Sequence, residues 1–330
     1  MMNKKKVIPV FFAADDNYVP CLAVAIKSLI MNASRDYEYK IYVMHNDMSV
    51  ENQQSLKFFE EEGFQILFPE IKEGLDKITE RKTNKLRCDY FTLTIYFRLF
   101  IPAMFPQYDK GIYLDSDVVV PGDISELYNI ELGDNMIGAC VDLSVQEIEP
   151  IVNYFDKAVG VNHEKYINSG VLLMDLKRLR QAKLDSRFLE LLTTYQFDSI
   201  APDQDYINSM CDGNIMHLPA EWDIMPNENR AEVEKPKLIH YNLFAKPWMY
   251  DNIQYEDYFW DYAKKAGFYE INQLHKKNYT EENKAADRQS LETMIRMADE
   301  IVATGSTFAA VFNTGKEERL SWSRQTENQL

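Results

Sequence analysis

Along the chain, short apolar runs alternate with stretches in which apolar residues recur every three or four positions. The first period predicts strands, the second helices. Residues 7–12, VIPVFF, read as a first strand. Asp16 and Asn17 then cap a helix, YVPCLAVAIKSLIMNA, with Pro20 in the first turn, where its missing N–H is harmless. YEYKIYVM (37–44) and FQILF (64–68) read as the next two strands. Between them a polar helix starts at Ser49 and runs to Glu62. This βαβαβ opening predicts an α/β domain whose mostly parallel sheet carries helices on both faces.

Residues 69–90 are polar and irregular and read as a loop, before a helix carrying Thr92, Tyr96, Arg98 and Leu99. KGIYLDSDVVV (110–120) reads as one strand; further strands fall at 135–142, 168–176, 214–218 and 236–242. Helices are expected near 148–158, 175–196 and 202–212. In open α/β sheets, ligands bind beyond the carboxyl ends of the strands. Asp15, Asp16, Asp115, Asp117, Asp142 and His240 are expected there. After residue 267 the character changes. Leu291, Met294, Ile295, Ala298, Ile301 and Val302 recur at helical spacing, with a mixed, net acidic opposite face. The helix over 284–304 should dock on the domain or on a second copy of the chain as a homodimer. The closing NTGKEERLSWSRQTENQL should be loose. The expected organisation is one domain over 1–267 and a helical extension over 268–330.

Composition narrows the functions open to such a fold. Lys and Arg number 36 against 52 Asp and Glu, a formal charge of −16, which argues against a nucleic-acid partner. It also argues against steady attraction to an anionic membrane surface, so membrane association is expected to be peripheral at most. No apolar run reaches the length of a membrane span. The start MMNKKKVIPVFFAADD mimics an export signal, but its apolar part is short, contains Pro9 and runs into two aspartates. Cys21, Cys88, Cys140 and Cys211 are widely spaced with no C-x-x-C pair, as expected of reduced thiols in the cytoplasm.

Within YLDSDVVV (113–120), two carboxylates interrupt an otherwise apolar segment. On a strand, Asp115 and Asp117 would point to the same side, where like charges repel and burial disfavours ionisation. A divalent cation resolves the conflict, since carboxylates are hard oxygen ligands for Mg²⁺ or Mn²⁺; a nearby Arg or Lys is the simpler alternative. A D-x-D at a strand end serves two metal-dependent chemistries. One is phosphoryl transfer through an aspartate nucleophile. The other is glycosyl transfer, in which the metal stabilises a leaving diphosphate.

The remaining motifs favour the second. VIPVFFAADDNYVPCLAVAIKSL, LTIYFRLFIP, KGIYLDSDVVV, GACVDL, YINSGVLLMDLKRLR, PDQDYIN and IHYNLFAKPW occur in one order over residues 7–265. Together they resemble glycosyltransferase family 8, which includes bacterial lipopolysaccharide galactosyl- and glucosyltransferases. The resemblance implies a GT-A fold, a UDP-sugar donor (UDP-glucose or UDP-galactose), Mn²⁺ or else Mg²⁺, a saccharide or glycolipid acceptor, and retention of anomeric configuration. Ala13, Asp15 and Asn17 would bind uracil and ribose. Asp115, Asp117 and His240 would hold the metal. Arg98 would offset the acidic cluster or hold diphosphate, and Lys246 would pair with the diphosphate. Asn168, Asp203 and Gln204 would surround the transferred sugar, and Asp142 would contact the acceptor. Pro247–Trp248 reads as a rigid turn with an aromatic wall.

One position departs from the family. Many relatives carry glycine two or three residues after the histidine, where this chain has Asn242 and Leu243. A conformation needing positive φ would be strained there. The neutral amide of Gln204 is a poor nucleophile, so retention is expected through front-face departure and attack rather than a covalent adduct. The rival readings are a catalytically silent nucleotide-sugar-binding protein, an aspartate-nucleophile phosphatase, and a self-glucosylating primer like the related glycogenins.

Overall fold

The computed structural model describes residues 5–71 and 93–322. Seven strands form the main sheet: β1 (Val7–Ala13), β2 (Glu38–Met44), β3 (Phe64–Leu67), β4 (Lys110–Leu114), β6 (Ile137–Ala139), β7 (Val171–Asp175) and β8 (Ile215–His217). Their order is β3-β2-β1-β4-β7-β6-β8. All pairs are parallel except those of β7, which runs antiparallel to both β4 and β6. A second sheet pairs β5 (Val118–Val119) with β9 (Ile239–His240), antiparallel.

The central strands β1, β4 and β7 are mostly apolar runs because both faces of the sheet are covered there. Alternate side chains feed two cores. Ile8, Val10 and Phe12, with Ile41, Val43, Ile112 and Leu114, pack towards helix Val19–Asn32. Phe11, Tyr42, Tyr113 and Leu172 pack on the other face with Phe188 and Tyr206. The β7 reversal matters for function: it brings the amino end of β7, Asn168–Gly170, beside the carboxyl ends of β1 and β4.

Several boundaries differ from the sequence reading. Residues 110–120 are not one strand. The chain leaves the main sheet at Leu114, turns through Asp115–Ser116–Asp117, and re-enters a sheet at Val118 opposite His240. Strand alternation therefore does not place the two aspartates. Ser116 Oγ donates to the Ala13 carbonyl (2.8 Å) and Asp115 N–H to the Gly170 carbonyl (2.7 Å), pinning this turn between β1 and β7. The expected helix over 175–196 is two helices, Leu176–Gln181 and Leu184–Tyr195, broken at Lys183, whose φ is +55°. The polar helix after Ser49 ends at Lys57. The cap of the first helical turn is Asp15, whose side chain accepts from Asn17 N and Tyr18 N; Asp16 instead accepts from Ser49. Most of the loop expected at 69–90, with Cys88 and Thr92, lies outside the described residues.

The C-terminal extension is packed onto the domain. Helix Glu281–Thr304 opens with a capping box from Thr280 and Asn283. Its Met294, Ala298 and Ile301 are buried with Ile151, Tyr154 and Phe155. Leu291, Ile295 and Val302 lie against the same cluster, so the stripe seen in the sequence covers the domain itself. Helix Phe308–Phe312 was not anticipated; Phe308 sits 4.1 Å from the Phe197 ring and 4.9 Å from that of Tyr206. The described part of the closing segment is docked rather than loose. Leu320 is buried, Glu317 pairs with Arg187 at 2.6 Å, and Trp322 Nε1 donates to the Asp134 carbonyl at 2.9 Å. Among the described residues, no helix is long and apolar enough to cross a membrane.

Candidate active site

A cleft opens where β1, β4, β7 and β9 converge. Its walls include Ala13, Asp15, Asn168, Asp203, Gln204 and Lys246, with Arg98, Asp115, Asp117 and His240 among the other lining groups. Asn17 is exposed and lies outside this lining; its backbone N–H is held by Asp15.

At the centre, one atom from each of Asp115, Asp117 and His240 lies within 4.8 Å of the others. Each of the three is held by a partner on its other side. Asp115 Oδ1 accepts from Arg98 Nη2 (2.8 Å) and from the Tyr113 hydroxyl (2.7 Å), leaving Oδ2. Asp117 Oδ2 accepts from Lys246 Nζ, leaving a buried Oδ1 with no hydrogen-bond partner. His240 Nδ1 lies 3.0 Å from Asp223 Oδ1, which turns Nε2 towards Asp117 Oδ1 (3.3 Å) and Asp115 Oδ2 (3.8 Å). Two carboxylate oxygens and an imidazole nitrogen, one oxygen buried and unsatisfied, are a donor set that fits a divalent cation.

The glycine of NSG makes this convergence possible. A Cβ on Gly170 would fall 2.3 Å from His240 Cε1 and 2.7 Å from Asp115 Oδ2. No side chain fits between β7 and the cluster.

Positive side chains balance the acidic cluster, and His240 gives up a proton if it ligates a cation. Asp115, Asp117, Asp142, Asp203 and Asp223 are gathered around Arg98 and Lys246. Burial raises the pKa of the Asp117 carboxyl, yet Lys246 and His240 outweigh it and hold the group well below the usual range. Burial lowers that of His240, but Asp223 and Asp117 outweigh it and push the imidazole up to about 10. The Asp223 carboxyl is itself held above its usual range by burial.

Arg98 comes from the 3₁₀ helix Leu93–Leu99 and is buried over the Tyr113 ring, 4.4 Å from its centroid. Its guanidinium contacts Asp115, Asp203 (3.2 Å), the Ser169 carbonyl and hydroxyl, and the Ile95 carbonyl. Of the two roles expected for it, these contacts match the offsetting of acidic charge.

On the opposite wall, helix Pro202–Cys211 presents Asp203 and Gln204 from its first turn. Asp203 Oδ2 accepts from Ser169 Oγ (2.8 Å). Gln204 Oε1 accepts from Ser169 N (3.1 Å), and its Nε2 donates to Asp142 Oδ2 (2.9 Å). Asn168 Nδ2 donates to the same oxygen (3.2 Å), and its Oδ1 accepts from Gly170 N (2.8 Å). Asp142 is fully buried behind these residues, its other oxygen taken by Ser144, and it does not line the cleft. Trp248 is likewise core rather than wall, 4.7 Å from Phe259; Phe244 lines the cleft instead.

Two functional features escaped the sequence reading. Asp223 sits in an unremarkable segment, AEWDIM, and only the fold brings it behind His240. Ser169 had a signal, because it lies between Asn168 and Gly170. Leu243 does adopt a positive φ, +49°, the conformation expected to be strained there.

The geometry agrees with the comparisons. The family "Glycosyl transferase family 8" matches residues 9–252. Lipopolysaccharide 1,2-glucosyltransferase of Escherichia coli (strain K12) is 29% identical over 283 residues, covering 77% of this chain and 78% of that protein. General stress protein A of Bacillus subtilis (strain 168) is 24% identical over 269 residues, covering 75% of this chain and 89% of that protein. Among solved structures, the galactosyltransferase LgtC in complex with donor and acceptor sugar analogues superposes with a TM-score of 0.66 at 26% identity, over 78% of this chain and 96% of that one. The bifunctional glycosyltransferase WbbM shares the fold, with a TM-score of 0.68 at 23% identity over 83% of this chain and 52% of that one. The chain therefore belongs to glycosyl transferase family 8, and is a glycosyltransferase with a GT-A fold whose cleft carries a candidate metal site.

Proposed function

We propose that the protein transfers a hexose, glucose or galactose, from a UDP-sugar to a hydroxyl of a saccharide or glycolipid, with metal dependence and retention of configuration. The observation that carries this reading is the triad of Asp115 Oδ2, Asp117 Oδ1 and His240 Nε2, with Lys246 beside it. A bound divalent cation would supply Lewis-acid neutralisation of the leaving diphosphate. The mixed nitrogen and oxygen donor set suits Mn²⁺, with Mg²⁺ as the lesser choice.

The chain's own groups then divide the work. Ala13 and Asp15 line the end of the cleft assigned to the nucleoside. Lys246 adds a point charge for the diphosphate as it departs. Asp203 and Asn168 are placed to hold sugar hydroxyls, with Ser169 fixing Asp203. Gln204 has its oxygen on Ser169 N and its nitrogen on Asp142, so it presents a fixed neutral amide to the sugar. Asp142, behind it, is a positioning group in this reading rather than an acceptor contact. Asp203, the neighbouring carboxylate that lines the cleft, is paired with Arg98 and Ser169, which lowers its nucleophilicity. Front-face departure and attack follows, the acceptor's proton passing to the departing phosphate oxygen. The lipopolysaccharide 1,2-glucosyltransferase relative supports a saccharide or glycolipid acceptor.

Thermal-shift screening with UDP, UDP-glucose, UDP-galactose and UDP-N-acetylhexosamines, with and without Mn²⁺, tests the reading. Metal-dependent stabilisation, lost in Asp115→Ala and Asp117→Ala, is expected. No nucleotide stabilisation, or stabilisation indifferent to both substitutions, would overturn it. UDP release on adding an acceptor separates an enzyme from a silent binding protein, and a glycosyl adduct trapped on Asp203 would overturn the front-face course.

A further inference from the structure

We propose that Leu243 is a positioning residue that ties the loop at the diphosphate end of the cleft to the C-terminal helix Glu281–Thr304. The inference rests on the donor-site reading above. Leu243 lies three residues after His240 and three before Lys246, and it lines the cleft. Its φ of +49° is left-handed, where the Cβ of an L-residue crowds the next carbonyl and only glycine is at ease. Something outside the loop must stabilise that backbone.

The loop's polar contacts act at either side of Leu243. Tyr241 N donates to the Asp117 carbonyl (2.9 Å), Lys246 Nζ to the Tyr241 carbonyl (2.8 Å), and Ala245 N to the Asn242 carbonyl (3.3 Å). Asn242 Nδ2, also in the cleft lining, is buried with no hydrogen-bond partner. The Leu243 side chain, half-buried, packs against the hydrophobic cluster that contains Tyr154, Phe155 and Ile200. The extension completes that cluster with Met294, Ala298 and Ile301. Hydrophobic docking thus does here what conformational freedom would do at a glycine. It follows that a residue such as Met294, which lies outside the cleft lining, influences how the donor is bound.

UDP binding with Mn²⁺, measured by titration calorimetry alongside thermal melts, tests the coupling. Leu243→Met keeps an apolar anchor and should bind like the unaltered protein. Leu243→Gly loses both anchor and strain, and Leu243→Ala loses the anchor but keeps the strain. The expected order of affinity is Leu and Met, then Gly, then Ala, spanning about three- to tenfold. Met294→Ala should weaken UDP binding in the same direction by a smaller factor, with the donor KM rising more than kcat changes. Leu243→Gly binding UDP as tightly as the unaltered protein, or more tightly, would overturn the proposal. So would a folded Met294→Ala protein with unchanged UDP affinity. If Met294→Ala does not fold, the comparison of Leu243→Gly with Leu243→Met and the unaltered protein decides. Failure of the unaltered protein to bind UDP would overturn the donor-site reading itself, and this inference with it.

Discussion

The cleft and the C-terminal extension are both well buried, yet they are held together by opposite means. Around β4, β5 and β9, charged groups are matched one against another, and each ligand atom faces the cleft because its neighbour is already occupied. Around helices Glu281–Thr304 and Phe308–Phe312, the contacts are aliphatic and aromatic. Removing one member of a charged set leaves its partners buried and uncompensated, whereas removing an apolar side chain leaves a cavity. Substitutions in the first region should therefore cost chemistry as well as stability, and in the second stability alone.

The sharpest test of that contrast is Asp117→Ala. It removes a candidate ligand and leaves Lys246 without its carboxylate, so glycosyl transfer should fall about 10³-fold, the scale for losing one preorganised electrostatic group. Measured UDP release and the loss of metal-dependent UDP binding check it. A variant with near-normal turnover would break the comparison from the charged side.

On the apolar side, Phe308→Ala should lower unfolding stability by about 3–5 kcal/mol, because Phe308 is buried between Phe197 and Tyr206. Turnover per folded molecule should stay close to normal. Chemical denaturation followed by an assay well below the melting temperature separates these quantities. A specific-activity loss as large as that of Asp117→Ala would erase the distinction.

Asp223 sharpens it from inside the charged region, since it faces away from the cleft. Asp223→Ala should weaken Mn²⁺ binding about 10–100-fold, the usual effect of removing the group that orients a ligating histidine. Asp223→Asn keeps an acceptor for Nδ1–H and should fall between. Mn²⁺ titration followed by electron paramagnetic resonance reads this without an activity assay.

The smallest effect is expected where a charge joins the apolar region. Glu317 accepts from the Tyr195 hydroxyl and pairs with Arg187, and these contacts lower its pKa. A carboxyl depressed in the folded state contributes stability above its unfolded pKa of about 4.3 and loses it as pH falls through the folded value. Acid titration should loosen the closing segment in that range, seen as a change in Trp322 fluorescence. Glu317→Gln should remove the acid step without altering turnover at neutral pH.

Legibility in the sequence followed the range of the interaction. Strands β1 and β7 were readable because alternate side chains enter two cores, which leaves a nearly unbroken apolar run, and the more peripheral β2 and β3 by short runs in which one face stays apolar. The break in 110–120 was not, because YLDSDVVV is equally apolar on either side of the turn and only pairing with β1, β7 and β9 divides it. Trp248 illustrates the converse error. An aromatic beside Lys246 suggested a wall, but its direction is set by Phe259 from a helix, Glu256–Ala266, that the periodicity had not revealed.

The sequence by itself determined the alternation of strands and helices, the apolar stripe of helix Glu281–Thr304, the excess of negative charge, and the ordered motifs that mark the family. These are local or cumulative properties, written in residue type and spacing. Only the tertiary structure decided which atom of each group faces the cleft. That choice depends on Arg98 behind Asp115, Lys246 beside Asp117 and Asp223 behind His240, contacts between residues that are 17 or more positions apart. It also decided that Asp142 supports the cleft from behind and that Leu243 rests on the extension. Hydrogen bonds and close packing act over a few ångströms, and only folding brings distant residues within that reach.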